Sequence, residues 1–172
     1  MGDGGPAVTM FVRDGTVCVA RFGPGEAAVL NEVMLEVITL LSEGFDRGDP
    51  VVERLFPDIY PDDPSMSAEL RKYTEDDLRS SKLEQAAMLL DNLPVEGGEV
   101  ALDEEQAEMW LRALTDVRLA LGLRLSITDD TDLETEIDNA VLHDPTSTRV
   151  GQLSVYAYLT YLQESLVGAL LG

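Results

Sequence analysis

Apolar residues recur with helical spacing after the sequence GPG at positions 23–25. They fall at i, i+3, i+4, i+7, i+8 and i+11, with polar residues between them: Leu30, Val33, Met34, Val37, Ile38 and Leu41. Pro24 suits the first turn of a helix, and Gly44 suits its end. The pattern predicts a half-buried helix that begins at Pro24 or Gly25 and ends near Gly44.

The residues before this helix have the pattern of a β-hairpin. Two β-prone runs flank Asp14 and Gly15, a pair that can supply the positive φ angles of a tight turn. We expect strands over residues 8–13 and 16–22, with Phe11 and Cys18 on the same face. The glycine-rich residues 1–7 are expected to be a flexible N-terminus. After Pro94, the sequence VEGGEVAL predicts a turn and a short third strand over residues 100–102.

The remaining helices are predicted from capping signals and prolines. Four prolines limit the segment from residue 47 to residue 65 to one short helix over 51–56: Pro50, Pro57, Pro61 and Pro64. A helix over 65–73 follows, and Thr74 is expected to cap a second one that ends before Pro94. Asp103 with Gln106 predicts a helix over 104–126. An acidic connection then leads to a last helix over 146–171.

The helix over 104–126 is predicted to be central. One face carries Trp110, Leu114, Val117, Leu121 and Leu125, and leucines also lie on the opposite face, at positions 119 and 123. A helix that is apolar around most of its circumference belongs inside a fold. The sequence therefore predicts a mainly α (α+β) single domain, with an N-terminal hairpin at 8–22 and a helical body at 24–171 packed around this helix.

Arginines within the central helix raise the question of their partners. Arg118 projects into the main apolar arc and Arg124 borders it, so both are candidates for buried ion pairs. Candidate carboxylates border the apolar stripes of other helices: Glu36, Asp77 and Glu164. A bound carboxylate or phosphate is the alternative partner. Arg112 lies four residues from both Glu108 and Asp116, which is typical of surface i,i+4 pairs.

The net charge of the chain favours some classes of binding partner over others. Twelve basic and 33 acidic residues give a net charge of −21, which repels the phosphate backbone of nucleic acids. We therefore expect no autonomous DNA binding and favour a protein partner. The basic residues cluster once, with acidic neighbours between them, and form a candidate anion-contacting surface: Arg71, Lys72, Arg79 and Lys82.

The Pro-rich segment carries large apolar residues on a backbone that cannot continue as a helix. These residues are Phe56, Ile59 and Tyr60. Such side chains usually hold a loop against the core, and an exposed loop for protein docking is the alternative.

No motif of catalysis, cofactor binding or metal binding stands out. The chain lacks GxxxxGK[ST], GxGxxG and GxSxG, and its one histidine, His143, is expected to be exposed. The acidic run over 129–138 lacks the glycine and glutamate of a calcium-binding loop. We therefore expect no cofactor and no metal site, and no residue is assigned a catalytic role. No signal peptide or membrane span is expected, so the predicted location is the cytoplasm.

Cys18 is the one cysteine, so an internal disulfide cannot form. On a strand beside Phe11, it is most simply a small core residue. The nearby Arg13 and Arg21 make it a candidate redox site, because cations can lower the pKa of a thiol.

Long stretches of the chain resemble an actinobacterial family of a domain of unknown function that includes an oxidative-stress transcriptional regulator. The resemblance rests on the early hairpin and on three segments: YTEDDLRSSKL, LDEEQAEMWLRALTDVRLALGLRL and LTYLQESLV. It implies a cytoplasmic, non-enzymatic regulator that associates with the transcription apparatus, a sigma factor or RNA polymerase in particular. It also implies redox sensing by a cysteine pair, which the lone Cys18 cannot provide; a sulfenic acid or an intermolecular disulfide remains open.

Two alternatives to such a regulator remain open. The first is a small-molecule or metal-binding protein that uses Arg118 and buried carboxylates. The second is a homodimer whose long helices pair and whose regulatory effect is indirect.

Overall fold

The computed structural model describes residues 10–43, 46, 48–57, 60 and 62–172. Within these residues the fold is mainly α, as predicted, with a small antiparallel sheet. Its elements in chain order are β1 (Val12–Asp14), β2 (Val17–Phe22), α1 (Pro24–Ser42), α2 (Pro50–Leu55), α3 (Pro64–Asn92), β3 (Gly98–Leu102), α4 (Glu104–Arg124), α5 (Leu133–His143) and α6 (Thr148–Leu171).

The sheet has the strand order β1-β2-β3, which confirms both the hairpin and the third strand. Val12 pairs with Val19, and Cys18 pairs with Leu102. Gly15 has a φ of 64°, as the tight turn requires. Residues 1–9, which include the predicted flexible N-terminus and the start of the first predicted strand, lie outside the described residues.

The central position of α4 is confirmed. It packs against α1, α2, α3 and α6, and also against β2 and β3. Trp110 is fully buried, with ring centroids 5.7 Å from Phe11 and 6.1 Å from Phe22. The opposite face is less buried than expected, because Leu123 is 40% exposed. The core therefore lies between the sheet and the helices that surround α4.

α3 is one continuous helix, so the predicted break at Thr74 is wrong. Thr74 does not cap a new helix; its hydroxyl donates to the carbonyl oxygen of Leu70, 3.0 Å away. This bond one turn back satisfies the hydroxyl within a helix. Pro64 occupies the first turn of α3 and Asp63 caps it, so the start of the helix agrees with the proline rules.

The predicted acidic connection contains a helix, α5. The Asp132 carboxylate accepts a hydrogen bond from the backbone N–H of Thr135 and caps the helix. Leu133, Ile137 and Ala140 are half-buried at i, i+4 and i+7, and α5 packs against α6. The high density of acidic residues concealed this narrow apolar stripe in the sequence.

Candidate functional site

A charged pair lies inside the helical body, between α3 and α4. The Lys82 ammonium is 2.8 Å from a carboxylate oxygen of Asp116, and the two side chains are 14% and 10% exposed. The ammonium also lies 5.9 Å from the centre of the Phe56 ring, within cation–π range. Burial raises the pKa of Asp116, and the hydrogen bond and charge of Lys82 oppose that rise without cancelling it.

An open cleft of about 420 Å³ lies beside this pair. Its lining includes both charged side chains, Arg112 and Thr115. The interpretation of Asp116 as a surface partner of Arg112 is therefore wrong, because Asp116 points toward α3. Ala113 and Ala120 are buried on either side of it. These small residues extend the buried arc of α4 and are the signal that sequence reasoning missed.

Arg118 joins α4 to α6 through neutral groups. Its Nη1 donates to Oε1 of Gln163 at 2.7 Å, and the Gln163 amide donates to the Thr115 hydroxyl at 2.6 Å. The guanidinium carbon lies 5.8 Å from the centre of the Tyr156 ring. The expected carboxylate partner is therefore replaced by an amide and an aromatic ring. Arg124 is exposed, so the prediction of a buried ion pair is wrong for this residue.

The candidate anion-contacting surface does not form as predicted. Arg79 donates to the carbonyl oxygens of Leu41 and Ser42 at the C-terminal end of α1, and Lys82 is paired with Asp116. Arg71 is half-buried and Lys72 is exposed. Arg79 and Lys82 thus serve contacts within the fold.

Two more arginines occupy helix ends. Arg13 donates to the carbonyl oxygens of Ala169 and Leu170 near the C-terminus of α6, at 3.3 and 3.2 Å. Arg149 donates to the carbonyl oxygen of Leu125 at the end of α4, 3.5 Å away. A cation at a helix C-terminus satisfies free carbonyls and complements the helix dipole. Both arginines thus stabilise helix ends while they remain exposed to solvent.

The Pro-rich segment is held to the helical body at two points. Phe56 is 2% exposed, whereas Tyr60 is 47% exposed. The backbone of Tyr60 is bound in both directions by the buried Ser67 hydroxyl, which donates to its carbonyl at 2.6 Å and accepts from its N–H at 3.1 Å. Ile59 lies outside the described residues. The described part supports attachment to the core, with Tyr60 available at the surface.

Cys18 lies in the core beneath the sheet and is 2% exposed. Burial raises the pKa of its thiol, and the charge of Arg13 offsets this only in part. A buried, protonated thiol is a poor nucleophile. The candidate redox role of Cys18 therefore lacks the accessible thiolate that oxidation requires.

We expect Cys18 to resist labelling in the native protein. A maleimide or disulfide reagent should react at least about tenfold more slowly in buffer than in denaturant, because the thiolate is the reactive species and is absent from the surface. Mass spectrometry over time measures the labelled fraction, and Cys18→Ala provides the blank. Equal rates in the two conditions would show that Cys18 is accessible after all.

The described ranges show neither a cluster of metal ligands nor a membrane-spanning helix. There, no group of three or more His, Cys, Asp or Glu side chains converges on a point that could hold a metal ion. Those ranges also contain no helix that is both long and apolar enough to cross a bilayer. His143 is exposed at the end of α5, as expected.

Comparison with known proteins places the chain in a family. No solved structure matches it significantly. The oxidative stress regulator AosR of Mycobacterium tuberculosis and that of Mycobacterium bovis are each 33% identical over 193 residues, covering 93% of this chain and 85% of the relative. A relative from Mycobacterium leprae is 36% identical over 153 residues, covering 80% of this chain and 67% of that protein. The family described as Domain of unknown function (DUF2017) matches residues 8–170, and the chain belongs to it.

Proposed function

We propose that this chain is a non-enzymatic, cytoplasmic regulator of the oxidative-stress response that acts on transcription through protein contact. The name of its relatives, oxidative stress regulator, supports the process. The partner that we propose is a basic surface of RNA polymerase or of a sigma factor.

The distribution of charge carries this proposal. Arg13, Arg79 and Arg149 bind carbonyl groups at helix ends, and Lys82 and Arg118 bind side chains inside the fold. Of the carboxylates in the described residues, Asp116 alone is buried. Since the buried Asp116 is paired with Lys82, and Arg13 and Arg149 stay exposed, the exterior carries nearly the whole net charge of −21. Such a surface repels nucleic acid and attracts basic proteins.

Cys18 is not the sensor in this proposal. Its burial and raised pKa keep it from reacting with peroxide. The oxidation signal would then reach the chain through its partner. Cys18→Ala should therefore support the stress response as well as the wild type does.

A genetic experiment tests the process. Deletion of the gene in the native host should reduce the induction of transcripts by peroxide, and both the wild type and Cys18→Ala should restore it. RNA sequencing before and after peroxide gives the readout. An unchanged transcript response in the deletion strain would contradict the proposal.

A binding experiment tests the mechanism. At about 0.15 M salt, exposed charges more than roughly 8 Å apart are largely screened. Under this condition the purified chain should bind RNA polymerase or a sigma factor and leave promoter DNA unbound. Biolayer interferometry with each immobilised partner measures both. Binding to the bare duplex at this salt concentration, without binding to either protein, would reverse the proposed mechanism.

The cleft beside Lys82 and Asp116 favours one second candidate, a ligand-binding protein. The cleft offers the charged pair, Arg112 and the Thr115 hydroxyl within one concave surface. A small polar ligand bound there should raise the melting temperature. Thermal-shift measurements over a metabolite panel, repeated with Thr115→Val, would remove this candidate if no compound stabilised the wild type selectively.

A further inference from the structure

An apolar groove runs between α1 and α6 and has α4 as its floor. α1 contributes Val29 and Val33, α4 contributes Leu121, and α6 contributes Gly151 and Val155. The groove is open to solvent and encloses about 420 Å³. It lies away from the Lys82–Asp116 cleft and shares no lining residue with it.

The lining residues of α1 and α6 are spaced so that a third helix can pack between these two helices. Those from α1 lie at positions 29, 32, 33 and 36, and those from α6 at 148, 151, 152 and 155. Both sets follow i, i+3, i+4 and i+7, which is one continuous face of a helix. These two faces lie on either side of Leu121, and each is roughly 10 Å long, or about two turns. Helix faces of this kind pack against the side chains of another helix.

The rim of the groove is acidic on its α1 side. Glu32 and Glu36 are exposed on α1, and α1 contains three glutamates and no lysine or arginine. The exposed Arg124 lies beyond the groove and lines adjoining pockets that share Glu36. A second copy of the chain would bring another net charge of −21 against this rim, which opposes self-association. A cationic partner is favoured instead.

Gly151 keeps one wall of the groove low. It is exposed within α6, and a Cβ placed on it would meet no atom within 4 Å. Gly122 differs, because a Cβ on it would lie 3.0 Å from the Tyr156 ring and would push against that ring. Gly168, elsewhere on α6, has open space like Gly151. It therefore serves as a matched control.

We propose that this groove docks a basic amphipathic helix of a protein partner, with the apolar stripe of that helix on Val33, Leu121 and Val155 and its cations beside Glu32 and Glu36. The inference rests on the proposed function, because it specifies where and how protein contact occurs. Apolar anchors at i, i+3, i+4 and i+7 are the usual mode of helix-in-groove recognition.

A synthetic peptide tests the groove directly. The probe is a fluorescent helical peptide with leucines at i, i+3, i+4 and i+7 and lysines at the other positions; the control peptide has the same composition without the stripe. Fluorescence anisotropy should show at least about tenfold tighter binding of the striped peptide, a difference of ~1.4 kcal/mol. Methyl NMR of the wild type should show the largest shifts at Val29, Val33, Leu121 and Val155. Equal binding of both peptides, or shifts located elsewhere, would overturn the proposal.

Two matched variants distinguish binding of the peptide in the groove from its general electrostatic attraction to the acidic protein. Gly151→Leu should fill the groove and weaken binding about tenfold or more, whereas Gly168→Leu should leave the affinity within about twofold. Both variants replace a helical glycine and should melt at or above the wild-type temperature. Equal effects of the two substitutions would contradict the proposal.

Charge variants test the rim in the same way. Glu32→Gln with Glu36→Gln should weaken binding and reduce its salt dependence more than Glu134→Gln with Asp138→Asn on α5. Equal weakening by the two pairs would mean that the peptide responds only to net charge, which would overturn the proposed placement of its cations beside Glu32 and Glu36. A dimer in light scattering that Gly151→Leu dissociates would assign the groove to a second copy and overturn the proposal. Peptide binding requires no stress phenotype, so it can succeed or fail independently of the proposed function.

Discussion

Trp110→Ala is expected to destabilise the protein by about 3–5 kcal/mol, the usual range for removing a large aromatic side chain from a core. Trp110 is fully buried and lies edge-on to Phe11 and tilted against Phe22. These rings join β2 and the residue before β1 to α4, so the resulting cavity would separate the sheet from the central helix. Urea unfolding followed by circular dichroism measures the loss, since Trp110 is the only tryptophan and fluorescence would vanish with it.

Trp110→Phe is the control for this prediction. The indole N–H of Trp110 is buried and has no hydrogen-bond acceptor in the described structure. An unsatisfied buried donor costs about 1–3 kcal/mol, so phenylalanine removes that penalty while it leaves a smaller void. We expect Trp110→Phe to lose less than about 2 kcal/mol. If Trp110→Ala unfolded at the same urea concentration as the wild type, the central role of α4 would be wrong.

The helices with clear end signals could be predicted from sequence. The predicted start of α1 at Pro24 agrees with the structure, and α4 begins at Glu104 as predicted from Asp103 and Gln106. Both helices combine a capping residue or proline with a sustained apolar period. Because these signals are local, they do not depend on how the rest of the chain packs.

Local sequence signals gave wrong predictions where contacts between helices determine the secondary structure. The residues after Tyr73 resemble a helix start, yet Thr74 bonds to Leu70 and α3 continues. α5 has an acidic sequence, and its half-buried stripe makes sense only against α6. A short helix obtains most of its stability from packing, which its own residues do not reveal.

The sequence indicated that charged side chains lie inside the fold, but it did not identify their partners. The arginine at position 118 within the apolar arc correctly indicated an inward polar group, but its partners are Gln163 and Tyr156. Asp116 lies four residues from Arg112 and also between buried alanines, so spacing alone allows two orientations. The choice depends on Lys82 of α3, and the relative register of two helices is not encoded in either one.

Removal of one partner of the Lys82–Asp116 pair should strongly lower the free energy of unfolding. Replacement of both partners by apolar side chains should change it little. Asp116→Ala would leave the Lys82 ammonium half-enclosed beside Phe56, and we expect a loss of about 3 kcal/mol. This is the lower end of the range for buried pairs, because the ammonium can reach the water of the adjacent cleft. Lys82→Met combined with Asp116→Leu should be within about 1 kcal/mol of the wild type, since apolar side chains of similar volume need no compensation. Urea unfolding of the wild type, both single variants and the double variant measures the coupling.

The same pair should give the stability a distinctive dependence on pH. Burial raises the pKa of folded Asp116 above its ordinary value of 3.8, so between these two values the folded protein binds a proton that the unfolded chain releases. The contribution of Asp116 to the free energy of unfolding therefore falls as the pH rises through this window and increases as the pH falls. Asp116→Asn keeps the shape but cannot titrate. The stability of the wild type relative to Asp116→Asn should thus increase on acidification toward pH 3.8, measured by urea unfolding at successive pH values. A relative stability that decreased with acid would mean that Lys82 stabilises the carboxylate by more than burial penalises it, and Asp116 would then act as an ordinary salt-bridge partner.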